Sequence, residues 1–394
     1  MAEAAPGPRI AGESGLCGQC AHAERVAGAR SLFVMCGRSR WDRGFVRYPR
    51  LPVLRCRGFT QRGDARSADA DSNRPLGHAP VSVQQVQAAR QRLRGIAART
   101  PLVALDVDAP AQLHLKLENL QPIGSFKIRG AANKLLQVQP DQLRDGVWTA
   151  SAGNMAQGVA WCARRLGVGA IVVVPDTAPE AKLAAIRRMG AQVVMVTREE
   201  FFETFATRRH PGVKGLFVHA FSDPDVMAGN ATIALEILED LPEVRAIYVP
   251  YGGGGLSCGI ASIVRVTAPD VRIIACEPET AAPLTASLHE SSPQSVDFTP
   301  SFVDGAGASR LYGEMFDLAR ELIDEAVAVP LADVAAAIRL LAERSRVVAE
   351  GAGALAVAAA MRHPTSEPVA CVISGGNINS TWLATILAGN VPSL

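Results

Sequence analysis

Apolar residues are spaced along this chain in two alternating rhythms. Short continuous runs rich in β-branched residues, such as AIVVVP at 170–175, QVVMV at 192–196, AIYVP at 246–250, VRIIACEP at 271–278 and VACVIS at 369–374, have the length of buried strands. LHLKLE and GVWTAS add two more. Between them lie stretches of helical length and spacing: VSVQQVQAARQRLRGI, a helix after Ser125, NMAQGVAWCARRLG closing on Gly167, PEAKLAAIRRMG, and LSCGIASIVRVT. Strands apolar on both faces and separated by helices predict parallel sheets covered by helices, an α/β fold.

The pattern breaks at one place. Residues 60–80 hold no large apolar residue between Phe59 and Leu76 and are dense in Asp, Arg, Ser and Gly, which predicts a linker. The expected division is a four-cysteine module at 1–59, a linker at 60–79, a large domain built from 80–148 and 223–394, and a small domain at 149–222. There is no internal repeat of fixed period, and the alanine-rich helix around Ala354 and Ala360 is the one biased tract.

Composition narrows the classes. With 48% apolar and 20% charged residues among 394, the chain forms a core, and a formal charge of +2 sets up no field for nucleic acid or membrane. No apolar run reaches the roughly 20 residues of a membrane span, and the start lacks a secretory profile, so a cytoplasmic protein is expected. Cys162, Cys258, Cys276 and Cys371 sit singly in apolar segments and read as core. Cys17, Cys20, Cys36 and Cys56 form a CGQC pair and two single cysteines, a donor set for tetrahedral zinc in a module too small to fold without a staple. An iron–sulfur centre, a redox pair or an unstructured tail are the other readings. The surrounding arginines, with Phe33, Trp41, Phe45 and Tyr48, read as a solvated face rather than a nucleic-acid surface.

In α/β sheets ligands bind beyond the carboxyl ends of the strands. Three loops stand there: Ser151-Ala152-Gly153-Asn154, Gly252-Gly253-Gly254-Gly255, and Ser374-Gly375-Gly376-Asn377. The four glycines, followed by a helix from about Leu256, could turn bare amides onto a phosphate, or could serve only a tight turn. Lys127, two residues past the expected cap Ser125, has small and apolar neighbours that could desolvate it into a neutral, nucleophilic amine, or could lie on a solvated helix face. The Ser151 loop could receive a carboxylate or be an ordinary helix cap, and the Ser374 loop could be a turn.

Taken together and in this order, GSFKIRGA, TASAGNMAQGVA, PYGGGGL, AEGAGALA and VISGGN resemble the fold-type II pyridoxal-phosphate enzymes, and among them the threonine and serine dehydratases. The resemblance runs from about residue 81 to the C-terminus. It implies a tryptophan-synthase-β-like fold of two three-layer α/β domains and a homodimer. It makes Lys127 the lysine that carries pyridoxal 5'-phosphate, with Phe126 packed beside the ring and Gly252, Gly253, Gly254, Gly255 and Leu256 around its phosphate. Asn154 then bonds the ring hydroxyl, and Ser374 faces the pyridine nitrogen. Ser151, with Ala152, Gly153, Asn154 and Met155, receives the substrate. The implied reaction is β-elimination from threonine, serine or a related β-hydroxy amino acid, with Lys127 removing the Cα proton and a 2-oxo acid and ammonia as products.

Departures from the family pattern refine this. Serine racemases place a second serine where this chain has Ala152, so little racemisation is expected. Met155 replaces a frequent histidine and is expected to widen the wall facing the β-substituent. Glu277 matches one ligand of a divalent-cation site found in some relatives, but Pro283 stands at the other, and that site is not expected. Glu350 matches a glutamate near the cofactor and equally suits a helix cap. The chain ends without room for a regulatory domain, so isoleucine feedback is not expected. A β-replacement enzyme is the alternative, although such relatives carry a TSGNT-like loop; a cofactor-binding sensor without turnover is another.

Overall fold

The computed structural model describes residues 23–27, 32–36, 80–107 and 112–393. The chain divides into two compact units, Met1–Leu76 and Gly77–Leu394. In the first, β1 (Ala23–Ala27) and β2 (Leu32–Cys36) pair antiparallel, with Ala23 opposite Cys36. Cys17, Cys20, Cys56, the side chain of Cys36 and the expected linker at 60–79 lie outside the described residues.

The second unit runs α1 (Val83–Arg92), β3 (Leu102–Ala104), β4 (Gln112–Leu117), α2 (Lys127–Leu135), β5 (Val147–Ala150), α3 (Asn154–Leu166), β6 (Ala170–Pro175) and α4 (Glu180–Arg188). It continues with β7 (Gln192–Val196), α5 (Arg198–Thr207), β8 (Leu216–Phe217), α6 (Pro224–Asp240), β9 (Ala246–Pro250), α7 (Ser257–Thr267) and β10 (Arg272–Pro278). It ends with α8 (Pro283–His289), α9 (Gly313–Leu322), β11 (Glu325–Val329), α10 (Leu331–Leu340), α11 (Gly351–Arg362), β12 (Pro368–Ile373) and α12 (Ser380–Leu387). No described helix is long and apolar enough to cross a membrane.

Two sheets organise these elements. One has six strands in the order β11-β10-β9-β12-β4-β3, parallel except for β3 at its edge; the other has four parallel strands, β7-β6-β5-β8. Alternate residues of each strand enter different cores. Ile247, Val249, Ile273 and Ala275 pack on one face of the larger sheet, whereas Tyr248, Ile274 and Cys276 pack on the other. Val172 and Trp148 divide likewise across the smaller sheet. Burial on both faces is why these strands read as unbroken apolar runs, and each fully buried Val or Ile contributes about 1.5–3 kcal/mol. Cys162, Cys258, Cys276 and Cys371 are buried free thiols.

Two local expectations are corrected. β5 places Val147 and Trp148 in the smaller sheet, two residues before the boundary drawn at 149. Ser125 does not cap α2: Phe126 takes that position with helical backbone angles, and Ser125 instead bridges to Gly375 beyond β12. That bridge ties the start of α2 to the loop leaving the central strands, and so fixes Lys127 over the carboxyl edge of the larger sheet.

Candidate active site

Lys127 is the first residue of α2, and its Nζ donates to the Ala220 carbonyl at 2.7 Å. Removal from water lowers its pKa from 10.5 to about 8, and the carboxylate of Glu350 opposes that shift without cancelling it. The amine is therefore largely neutral in mildly alkaline solution, as a nucleophile or base must be. Its Nζ lies 5.1 Å from the centroid of Phe126, which is buried in the core of the larger sheet. The backbone N–H of Phe126 donates to the Ser374 carbonyl at 3.0 Å, bringing the lysine turn and the Ser374 loop together.

Glu350 precedes α11 and is 6% exposed. Burial pushes its carboxyl up to about 7; Asp304 adds to this, while the amide of Asn154 opposes it. Asn154 Nδ2 donates to Glu350 Oε1 at 2.7 Å, and Asn154 Oδ1 accepts from Asn377 Nδ2 at 2.7 Å. Asn377 also donates to the Ile123 carbonyl at 2.9 Å. One Nδ2 hydrogen of Asn154 is left for a further acceptor. The Ser151 loop, the Ser374 loop and the turn before α2 thus meet in one chain of amides ending on a carboxylate. Sequence reasoning assigned no role to Asn377 or to the Ala220 carbonyl; the side-chain amide in VISGGN was the signal for the first, and nothing local signalled the second.

Ser151 follows β5, and its Oγ accepts from the Gly153 N–H at 3.2 Å. Gly153 stands at the N-cap of α3 without a side-chain cap, so the helix offers uncapped amides beside Ser151, a setting suited to a carboxylate. Ala152 is partly buried at the same loop. Met155 requires a correction: it is 1% exposed and packs with Ile128 and Val159 in the core beneath the smaller sheet, on the inward face of α3.

The loop after β9 is bare backbone for steric reasons. A Cβ on Gly253 would lie 1.9 Å from the Phe221 ring, one on Gly255 2.7 Å from Phe221 backbone, and one on Gly254, whose φ is +88°, 2.8 Å from Tyr251 Oη. The loop enters α7 at Leu256, which is buried and supplies no side-chain cap. Tyr251 Oη and Ser125 Oγ are both buried without a hydrogen-bond partner. A glycine cradle at an uncapped helix start, the unpartnered Tyr251 hydroxyl beside it and a desolvated lysine fit an aldehyde that carries a phosphate.

With this geometry in place, the family profile for pyridoxal-phosphate dependent enzymes matches residues 93–375. The chain belongs to that family. It is 39% identical over 314 residues to an L-threonine ammonia-lyase of Thermotoga maritima, covering 78% of each chain. It is 36% identical over 317 residues to the catabolic L-threonine dehydratase of Escherichia coli K12, covering 78% of this chain and 96% of that one. The crystal structure of T.th. threonine deaminase superposes with a TM-score of 0.70 at 35% identity, over 76% of this chain and 99% of that one. A maize serine racemase does so at 0.71 and 28%, over 79% and 98%. The two sheets are those of a fold-type II pyridoxal-phosphate enzyme.

Among the described residues no cluster of three or more His, Cys, Asp or Glu is arranged to hold a metal ion. Glu277 does something else. Its carboxylate accepts from the N–H groups of Leu284 and Thr285 at 2.9 and 2.7 Å, closing the start of α8 where Pro283 stands. The cysteines expected to hold zinc, Cys17, Cys20, Cys36 and Cys56, lie outside the described residues but for the backbone of Cys36.

Proposed function

We propose that this chain is a pyridoxal-phosphate-dependent L-threonine ammonia-lyase that also accepts serine, releasing ammonia and a 2-oxo acid. The observation that carries the reading is the desolvated amine of Lys127 held at the edge of the glycine loop, in a chain whose curated relatives are threonine ammonia-lyases and dehydratases. When bound, the cofactor supplies the electron sink that acidifies the substrate Cα–H. Lys127 would hold it covalently, the amides of Gly252, Gly253, Gly254 and Gly255 its phosphate, Asn154 its ring hydroxyl, and Ser374 its ring nitrogen.

The protein's own part is positioning and proton movement. Ser151 and the uncapped amides of α3 orient the substrate carboxylate, which turns the Cα–H toward the Lys127 amine. Neutral Lys127 takes that proton, and Glu350 keeps a counter-charge within reach of the ammonium that results. Ala152 carries no hydroxyl to deliver a proton to the opposite face, which favours elimination over racemisation. The family resemblance favours a homodimer, which light scattering on the purified protein would measure.

Purified protein with pyridoxal phosphate should absorb in the visible and convert L-threonine to 2-oxobutanoate and ammonia. Protein that binds no cofactor, or that binds it and releases no ammonia from threonine or serine, rules the reading out.

A further inference from the structure

We infer that the cavity beside the glycine loop is the β-substituent pocket, and that it selects β-hydroxy amino acids bearing an aryl group, of the phenylserine class, over threonine and serine. The inference rests on the functional reading above. The cavity has a volume of about 180 Å³ and lies between Gly252 and Gly253 on one side and Phe201, Phe205, Phe221 and Tyr312 on the others. Three of these rings face one another, with centroids 5.4 Å apart for Phe205 and Phe221, 5.5 Å for Phe221 and Tyr312, and 5.8 Å for Phe205 and Tyr312. These are the spacings at which aromatic rings attract, so an added ring finds ready partners.

Position ties the cavity to the reacting atoms. Phe221 follows Ala220, whose carbonyl receives the Lys127 amine at 2.7 Å, and the Phe221 ring lies against the bare backbone of Gly253. Gly252 and Gly253, two of the four glycines assigned to the phosphate, line it, whereas Gly254, Gly255 and Leu256 do not, so the cavity opens off one end of the phosphate cradle. Beyond those two glycines the walls are mostly rings and apolar side chains, with Arg310 the one charged residue of the lining, and they offer a phosphate few of the hydrogen bonds it loses on leaving water. Size separates the remaining guests: an apolar cavity of about 150 Å³ takes up benzene, whereas a single methyl leaves most of 180 Å³ unfilled.

The chemistry is that of the parent reaction. The Cα–H and Cβ–O bonds break, the hydroxyl leaves with a proton as water, and one water then hydrolyses the enamine product after tautomerisation, giving phenylpyruvate and ammonia with no net oxidation.

The test measures kcat/KM of the holoenzyme for L-threo-phenylserine, L-threonine, L-serine and L-threo-3-hydroxyaspartate. Alongside it, calorimetry compares L-phenylalanine with L-alanine, which lack a β-hydroxyl to expel. Phenylserine should exceed threonine, and exceed serine by about tenfold or more. Phenylalanine should bind more tightly than alanine, and Ala308→Leu, which fills the cavity, should lower the phenylserine-to-threonine ratio by about tenfold. Turnover of threonine above phenylserine overturns the inference and leaves the ammonia-lyase reading intact. A preference for 3-hydroxyaspartate also overturns it, transferring the pocket to Arg310 at its rim. If no substrate releases ammonia, the functional reading fails, and the calorimetry still decides: phenylalanine binding no tighter than alanine overturns the pocket, and tighter binding sustains it.

Discussion

Lys127 and Arg129 stand two residues apart at the start of one helix, both withdrawn from water, and they meet opposite fates. Arg129 is 2% exposed, and each arm of its guanidinium has a partner: Nε and Nη2 donate to Glu118 at 2.8 Å, and Nη1 and Nη2 to Glu236 at 2.7 and 2.9 Å. Burial alone would lower its pKa, but the two carboxylates raise it well above the ordinary value. Burial works against the charge of Glu118, but Arg129, the Thr100 hydroxyl and Lys116 together hold its carboxyl below the ordinary value. Lys116, fully buried, completes the cluster by donating to Glu236 Oε2 and the Thr100 carbonyl, both at 2.6 Å. Lys127 has a carbonyl for its hydrogen bond and a carboxylate whose attraction falls short of the cost of burial. Two carboxylates on one guanidinium make Arg129 architecture, whereas Lys127, with a carbonyl for its hydrogen bond and a single opposing carboxylate, is left able to act as a base.

The largest way to break this contrast is Lys127→Ala. Visible absorbance from the cofactor should vanish, and kcat for threonine should fall by on the order of 10⁴-fold or more. Stability should not fall with it. The pKa of Lys127 is depressed in the folded state, so the unfolded chain binds more protons between about pH 8 and 10.5, and this group adds stability as pH rises through that window. Chemical denaturation of the apoprotein should show that slope in the native sequence and lose it in the variant.

Arg129→Met tests the other half. It leaves Glu118 and Glu236 with Lys116 as their nearest cation, and removing one member of a buried ionic cluster costs about 3–5 kcal/mol. Urea denaturation should record that loss, while the folded fraction keeps its cofactor spectrum. A variant as stable as the native chain would mean that the arginine is not structural.

Lys127 was legible in the sequence because GSFKIRGA is local and travels with the glycine loop. The fate of Arg129, in the same motif, was not: its partners come from the end of β4 and from α6, and only the fold assembles them. Met155 misled for a related reason. Loop residues suggest a pocket, but its spacing to Val159 puts both on the inward face of α3, a periodicity that could have been weighed. The strands were readable because burial on both faces leaves no polar positions, whereas short edge strands such as β3 and β8 carry no such signature.

Glu350→Gln sharpens the comparison by removing the one carboxylate that acts on Lys127. The rate at which apoprotein captures pyridoxal phosphate should rise with pH as Lys127 loses its proton, with a midpoint near the value of about 8. Without the carboxylate the ammonium is less favoured, so the midpoint should move to lower pH. An unmoved midpoint would show that Glu350 serves only the loop amide. The same substitution removes a group whose folded pKa is raised to about 7. Its stabilising contribution is present below the ordinary 4.5 and lost as pH rises through about 7, so the native chain should lose stability relative to the variant across that window.

The smallest effect is expected from Lys182→Met, and it links the two halves of the comparison. Lys182, on α4, bonds Asp304 at 2.5 Å with both side chains about one-third exposed, 31% and 33%. A solvent-screened pair of this kind contributes at most about 1 kcal/mol, so unfolding should hardly change. Glu350 nevertheless senses both partners: Asp304 raises its pKa and Lys182 lowers it. Loss of the lysine leaves Asp304 unopposed, which should push the Glu350 carboxyl further up and reduce the negative charge facing Lys127 at neutral pH. The low-pH limb of kcat, set by deprotonation of Lys127, should therefore shift to lower pH by a small amount, in the same direction as in Glu350→Gln, and the shift should shrink as salt screens the exposed charges. A limb that stays in place while the Glu350→Gln profile moves would confine the control of Lys127 to its buried neighbour.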